Sequence, residues 1–187
     1  MRACDTALLV VDVQERMLGA QPAAGRIVWN CRRLLDGASV LGVRAAATEQ
    51  YPEKLGVTAA ELAERLTSPA LAKLAFSCGE CGDLFAGWQA AGVDRVLLCG
   101  VETHVCVQQT ALDLLAAGFR VYIAADAVGS RFAHDHETAL RRMESSGAVI
   151  TTTEAVLFEW CERAGTAAFK QISALAKETA PVMPAVK

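Results

Sequence analysis

The chain has 187 residues, 53% hydrophobic and 21% charged, enough apolar material for the core of one medium-sized α/β domain without disulfides or a structural metal. Its net charge of −3 and pI near 5.6 exclude the basic field that a nucleic-acid or anionic-membrane partner requires, and point to a small-molecule partner. The N-terminal apolar run Ala7–Val11 is closed at once by Asp12, so neither a leader nor a membrane span is expected and the chain reads as cytoplasmic.

The first strand is expected near 6–12 and ends on Asp12. An amphipathic helix over 23–41 follows, stops at Gly42, and gives way to a strand at 43–48 that runs into Thr48-Glu49. Thr58-Ala-Ala-Glu61 is a candidate capping box opening a helix over 58–67. A strand at 71–75 carries Lys73, and a helix over 80–91 ends at Gly92. The strand at 95–101 leads into a helix over 104–117, for which Thr103 is the candidate cap and Gly118 the stop. Next come a strand at 119–125, a helix over 132–146 closed by Gly147, a strand at 148–152, and helices over 153–163 and 165–177. Such alternation signals βαβ units: a three-layer α/β/α fold around a six-stranded, mainly parallel, Rossmann-like sheet. Residues 1–178 form the single expected domain, and 179–187, with Pro181 and Pro184, an irregular tail.

In open α/β sheets the ligand site lies beyond the carboxyl ends of the strands, so the residues that end strands carry the chemistry. Asp12 is delivered there after four consecutive aliphatic residues; a cap or turn role is its plainer alternative. Cys106 follows a buried strand and a tight turn, and falls in the first turn of a helix if Thr103 is the cap. There the helix dipole and unpaired amides favour a thiolate and can stabilise an oxyanion, although cysteine is equally a common small core residue. Lys73 lies in the mainly apolar Leu71–Ser77 stretch, where a buried ammonium needs a partner and an exposed edge-strand lysine does not. If the first and fourth strands are neighbours, Asp12 and Cys106 emerge side by side and can share a proton.

Seven cysteines (Cys4, Cys31, Cys78, Cys81, Cys99, Cys106 and Cys161) make an odd set in mostly apolar settings, which suits reduced thiols better than a disulfide framework. Cys78-Gly-Glu-Cys81 has the spacing of redox and zinc sites, but no second pair completes a zinc site. His134 and His136 alternate along a helix start and do not share a face, which favours a solvated surface over a metal pair. His104, beside the turn, is placed to shape a pocket or an interface. Gln14, Tyr51 and Phe76 are candidate pocket residues, with simple packing as the alternative.

Leu8-Leu-Val-Val-Asp12-Val-Gln14-Glu15, Lys73 with Phe76-Ser77, and Gly100-Val-Glu-Thr-His-Val-Cys106 together resemble the Asp, Lys and Cys motifs of isochorismatase-like cysteine hydrolases. Thr48-Glu-Gln-Tyr-Pro52, Leu55-Gly56 and Ala124-Ala-Asp-Ala-Val-Gly-Ser-Arg131 further resemble the isochorismatase domain-containing branch. The resemblance implies a six-stranded parallel sheet, an Asp12, Lys73, Cys106 triad, and a thioester intermediate formed from a small amide or related acyl compound. It also implies a cis peptide at Val101-Glu102, oxyanion donors in the Glu102 and Cys106 amides, no cofactor, and a homo-oligomer. Helices over 153–177 and the tail are the expected contact surface. Related nicotinamidases carry an Asp and His metal cluster after the second strand. This chain has Glu49-Gln50-Tyr51 instead, so no metal is expected. Two other classes stay open: a scaffold or interaction protein that kept the fold without turnover, and a redox thiol protein using Cys78 and Cys81.

Overall fold

The computed structural model describes residues 1–181. Six strands form one wholly parallel sheet: β1 (Thr6–Val11), β2 (Arg44–Gln50), β3 (Leu71–Lys73), β4 (Arg95–Val101), β5 (Arg120–Gly129) and β6 (Val149–Thr151), in the order β3-β2-β1-β4-β5-β6. The described helices are α1 (Glu15–Leu18), α2 (Ala24–Leu41), α3 (Pro52–Leu55), α4 (Ala60–Ala63), α5 (Gly82–Ala90), α6 (Gln108–Ala116), α7 (Ala133–Ser145), α8 (Thr153–Cys161) and α9 (Ala167–Ala176). None is long and apolar enough to cross a membrane.

Alternation along the buried strands builds the three layers. In β1, Ala7, Leu9 and Val11 face one core with Phe85, Trp88, Val107, Leu114 and Met143, while Leu8 and Val10 face the other with Ile27, Leu34, Leu35, Val156 and Trp160. The first core therefore lies under α5, α6 and α7, and the second under α2 and α8. α8 and α9 spend their apolar side chains inside the chain: Val156, Leu157, Trp160 and Ile172 are buried, and Gly37 of α2 leaves the space that Leu157 fills. The faces of these two helices turned away from α2 carry Ala155, Phe158, Ala167 and Ala174, all exposed. Of the large exposed apolar side chains, Tyr51, Val57, Leu74, Phe76 and Phe132 follow strand ends, Leu71 and Val149 open the edge strands β3 and β6, and Phe158 lies on α8.

Glycines at 42, 92, 118 and 147 end helices at positive φ, where a residue without Cβ is favoured. Gly100 has a stricter reason. Its φ is +114°, and a Cβ there would stand 2.1 Å from the carbonyl oxygen of Val11. β4 thus comes hard against β1 just before the chain reaches the site.

The predicted helix over 58–67 is the main local error. Only Ala60–Ala63 is helical, and the capping box does not form, because Thr58 gives both its N–H (2.6 Å) and its hydroxyl (2.7 Å) to Glu49 Oε1. Residues 179–181 carry no regular element, and the rest of the expected tail lies outside the described residues. Glu178, just before it, is held to α2 by Trp29 and Arg32.

Candidate active site

Strand order reverses between β1 and β4, which makes their carboxyl ends the switch point of the sheet. Val11 is in register with Thr48 on one side and Gly100 on the other, so Asp12 emerges between β2 and β4. Its backbone turns out of the strand at φ 52°, a left-handed conformation that aspartate tolerates better than most residues, and its N–H bonds the Thr48 carbonyl. The carboxylate is fully buried: Oδ1 accepts from Thr48 Oγ1 at 2.8 Å and Oδ2 from Lys73 Nζ at 2.7 Å.

Lys73 ends the edge strand β3, in register with Gln50, yet it is only 3% exposed because its stem runs inward to Asp12. The ammonium also reaches Gln50 Oε1 (2.7 Å), Phe76 O (3.0 Å) and Ala75 O (3.2 Å), so its three hydrogens have four acceptors. Burial alone would push the Lys73 pKa down. The Asp12 carboxylate outweighs it, and the group is held above its ordinary value.

Cys106 sits in a π-helical turn, Thr103–Val107, between β4 and α6, with 2% of its surface exposed. The Glu102 carbonyl accepts from Val105 N (3.1 Å) and Val107 N (3.2 Å), which winds this turn wider than an α-helix. The peptide Val101-Glu102 is cis. Thr103 is not the expected cap; its hydroxyl pairs with His136 Nδ1 at 2.9 Å. His136 accordingly departs from the expected solvated surface: it is half-buried, and burial followed by Arg26 lowers its pKa, whereas His134 is exposed. Burial pushes the Cys106 thiol up, the Asp12 carboxylate pushes it further, and Lys73 offsets only part. At rest the site therefore holds a thiol beside a carboxylate, and the thiolate-favouring effects of helix start and lysine are outweighed.

A second thiol closes the cluster. Cys78 is fully buried, its Sγ 3.4 Å from Thr48 Oγ1, and burial and Asp12 push its pKa up to about 11. Cys81 is partly buried with its pKa raised by burial, and both thiols are free.

Of the candidate pocket residues, Gln14 proves to be scaffold. It is fully buried, and its amide is consumed by the backbone of Gln50 (2.8 and 3.0 Å) and the carbonyl of Gly56 (2.6 Å). Tyr51 is 40% exposed and, with Lys73 and Leu74, lines a cavity of about 310 Å³. Phe76 serves the site through its carbonyl while its ring stays exposed. His104 binds Ser130 Oγ at 3.0 Å. Glu49 is tied to Thr58, and among the described residues no group of three or more His, Cys, Asp or Glu side chains is arranged to hold a metal.

Sequence reasoning met Cys78 only as half of a candidate redox pair, and missed Thr48, Gln50, Gln21 and Arg131. The only local signal was that Thr48 and Gln50 alternate across Glu49 at a strand end, which puts them on one face. Glu102 has its carboxylate enclosed by the last two: Arg131 Nε at 2.9 Å and Gln21 Nε2 at 3.0 Å. A cavity of about 220 Å³ adjoins them, lined also by Met17, Ala20 and Leu55.

A doubly wound parallel sheet with a buried carboxylate, ammonium and thiol at its switch point defines the class: a Rossmann-like α/β protein with an ion pair and a thiol at the carboxyl edge of its sheet. The chain belongs to the isochorismatase domain family, whose model matches residues 6–155. It is similar to isochorismatase domain-containing protein 1 of Danio rerio, 42% identical over 175 residues that cover 91% of this chain and 60% of that protein. The chain thus spans about three fifths of the length of that curated relative. Among solved structures, the MAR1 ribonuclease from Caenorhabditis elegans superposes with a TM-score of 0.90 at 34% identity, over 100% of this chain and 97% of the other. YcaC from Pseudomonas aeruginosa, solved with hexane-2,5-diol and covalent acrylamide, gives 0.84 at 25% identity, over 94% and 93%.

Proposed function

We propose that the chain is a cysteine-dependent hydrolase of a small amide or related acyl compound, acting through a thioester on Cys106. The observation that carries this reading is the fully buried Asp12–Lys73 pair beside a buried thiol, an arrangement costly to keep for packing alone. Asp12 takes the Cys106 proton as sulfur attacks the carbonyl carbon, and Lys73 keeps the carboxylate in place. The main-chain amides of Glu102 and Cys106 receive the oxyanion. The C–N bond breaks, the amine leaves with the proton held by Asp12, and the acyl group stays on sulfur. Water then gives a proton to Asp12 and attacks the thioester; the acid departs and Cys106 is protonated again.

A small substrate, reduced thiols in a cytoplasmic setting and assembly into a homo-oligomer belong to the same reading. The covalent acrylamide of YcaC, an electrophile that a thiol takes up at its C=C bond, supports a nucleophile in this fold. The name ribonuclease of the Caenorhabditis elegans neighbour suggests a polyanion, but a net charge of −3 here favours an uncharged acyl compound. The test is Cys106→Ala against a panel of small amides. Turnover should fall by about a thousandfold or more, with the acyl adduct lost from the intact-protein mass. A variant that keeps full activity ends the thioester mechanism.

A further inference from the structure

Glu102 joins β4 to the turn that carries Cys106, and in the proposed mechanism only its main-chain N–H touches the reaction. Its side chain is nevertheless tied down at four points. Oε1 accepts from Gln21 Nε2 (3.0 Å), Arg131 Nε (2.9 Å) and Arg131 N (3.2 Å), and Oε2 accepts from Arg131 Nη2 (3.3 Å). Burial pushes the Glu102 pKa up, but these donors outweigh it and keep the carboxylate charged. Gln21 is 7% exposed and its Oε1 has no hydrogen-bond partner among the described residues. Turning that amide over would set its oxygen against the carboxylate, so the bond to Glu102 is kept at the expense of a buried unpaired carbonyl. The guanidinium, by contrast, is half-exposed and carries no core packing that would explain it.

Three separate segments meet here: the one before α2 (Gln21), the one between β5 and α7 (Arg131), and the one after β4 (Glu102). A side chain bonded to the other two cannot swing without breaking charge-assisted bonds, which restrains the backbone that carries it.

We infer that Arg131, assisted by Gln21, is a positioning residue for the oxyanion: through the Glu102 carboxylate it holds the Glu102 N–H at the site where negative charge develops. The inference rests on the thioester reading and names what tunes it. Two reagents separate the two. Methyl methanethiosulfonate transfers its methylthio group to sulfur with loss of methanesulfinate and needs only an ionised thiol. Acrylamide adds across its C=C bond: sulfur bonds the β carbon, the π pair moves onto the amide oxygen, and the enolate takes a proton at the α carbon. Acrylamide therefore calls on the oxyanion donors and the other reagent does not.

Second-order rates at Cys106 would be read by peptide mass for wild type, Arg131→Met and Arg131→Lys, with exposed Cys4 as internal reference. In Arg131→Met the acrylamide rate should fall by about 10- to 100-fold while the methanethiosulfonate rate stays within about twofold, and Arg131→Lys should fall between. Equal slowing by both reagents would show that the tether only maintains the turn, and no slowing would show that it positions nothing; either overturns the inference. Wild-type Cys106 that takes up neither reagent at any pH while Cys4 is labelled would remove the thioester reading itself.

Discussion

Replacing Lys73 by Met keeps the length and apolar stem of the side chain and removes only the ammonium. In the wild type that ammonium is, among the described residues, the one cation paired with a carboxylate that has no exposed surface, and Thr48 Oγ1 also donates to it. The variant leaves a buried carboxylate unpaired and strands the acceptors on Gln50, Ala75 and Phe76. Removing one member of a buried pair costs about 3–5 kcal/mol, and for a protein of this size each kcal/mol lowers Tm by about 2–4 °C, so a fall of roughly 6–20 °C is expected. Because folding raises the Lys73 pKa, the pair's contribution is complete below the ordinary lysine value and is lost as pH climbs through the folded one. The gap between wild type and variant should thus be constant around pH 7 and narrow only at alkaline pH. Urea unfolding and calorimetry across pH 6–11 measure it, with Asp12→Asn/Lys73→Met as control. That double variant buries no charge and should regain much of the loss. A single-variant penalty below about 1 kcal/mol, or a double variant no better than the sum of its parts, would refute a desolvated pair.

Asp12→Asn removes the charge that opposes Cys106 ionisation, so iodoacetamide should react at lower pH than with wild type while turnover is lost for want of a proton acceptor; an unchanged alkylation profile would show that no proton is shared. Gly100→Ala puts a methyl group 2.1 Å from Val11 O at a φ that L-residues avoid, and should cost about 2–4 kcal/mol in urea unfolding or prevent soluble expression. Gln50→Leu deprives Lys73 of one acceptor and the Leu74 carbonyl of its donor, for about 1–3 kcal/mol of stability. Its effect on Cys106 alkylation should be smaller than that of Lys73→Met.

The fold was legible where one residue type decides the local geometry. Glycines at 42, 92, 118 and 147 marked helix ends because a positive φ is needed there, and the aliphatic run before Asp12 marked a strand buried on both faces. It was illegible where a distant partner decides. Thr58 has every local sign of a cap, but Glu49 claims its two donors, and that contact exists only once β2 has taken its place. Likewise the strand expected at 119–125 runs on as β5 to Gly129, through Asp126, whose carboxylate Thr153 satisfies from the start of α8. Polar residues argue for a chain break only while their partners are unknown.

The site divides along the same line. Asp12, Lys73 and Cys106 could be picked out because each is a reactive type placed where a strand or turn reaches the carboxyl edge. Thr48 and Gln50 could not, and Cys78 was legible only as half of a pair with Cys81, since they join the site through strand register and a return of the chain from β3. The ionisation balance escaped for a deeper reason. Helix start and lysine argue for a thiolate, but burial decides, and burial is a property of the folded whole. Charge counting then fixes the resting state: around the single ammonium of Lys73 stand three groups able to become anions, Asp12, Cys106 and Cys78. One cation in a dry cluster supports one anion well, and Asp12 holds that place by accepting both the lysine and the Thr48 hydroxyl. Cys106 becomes an anion only as Asp12 gives up its charge by taking the proton, so in the proposed mechanism thiolate and base are alternative states of one shared proton.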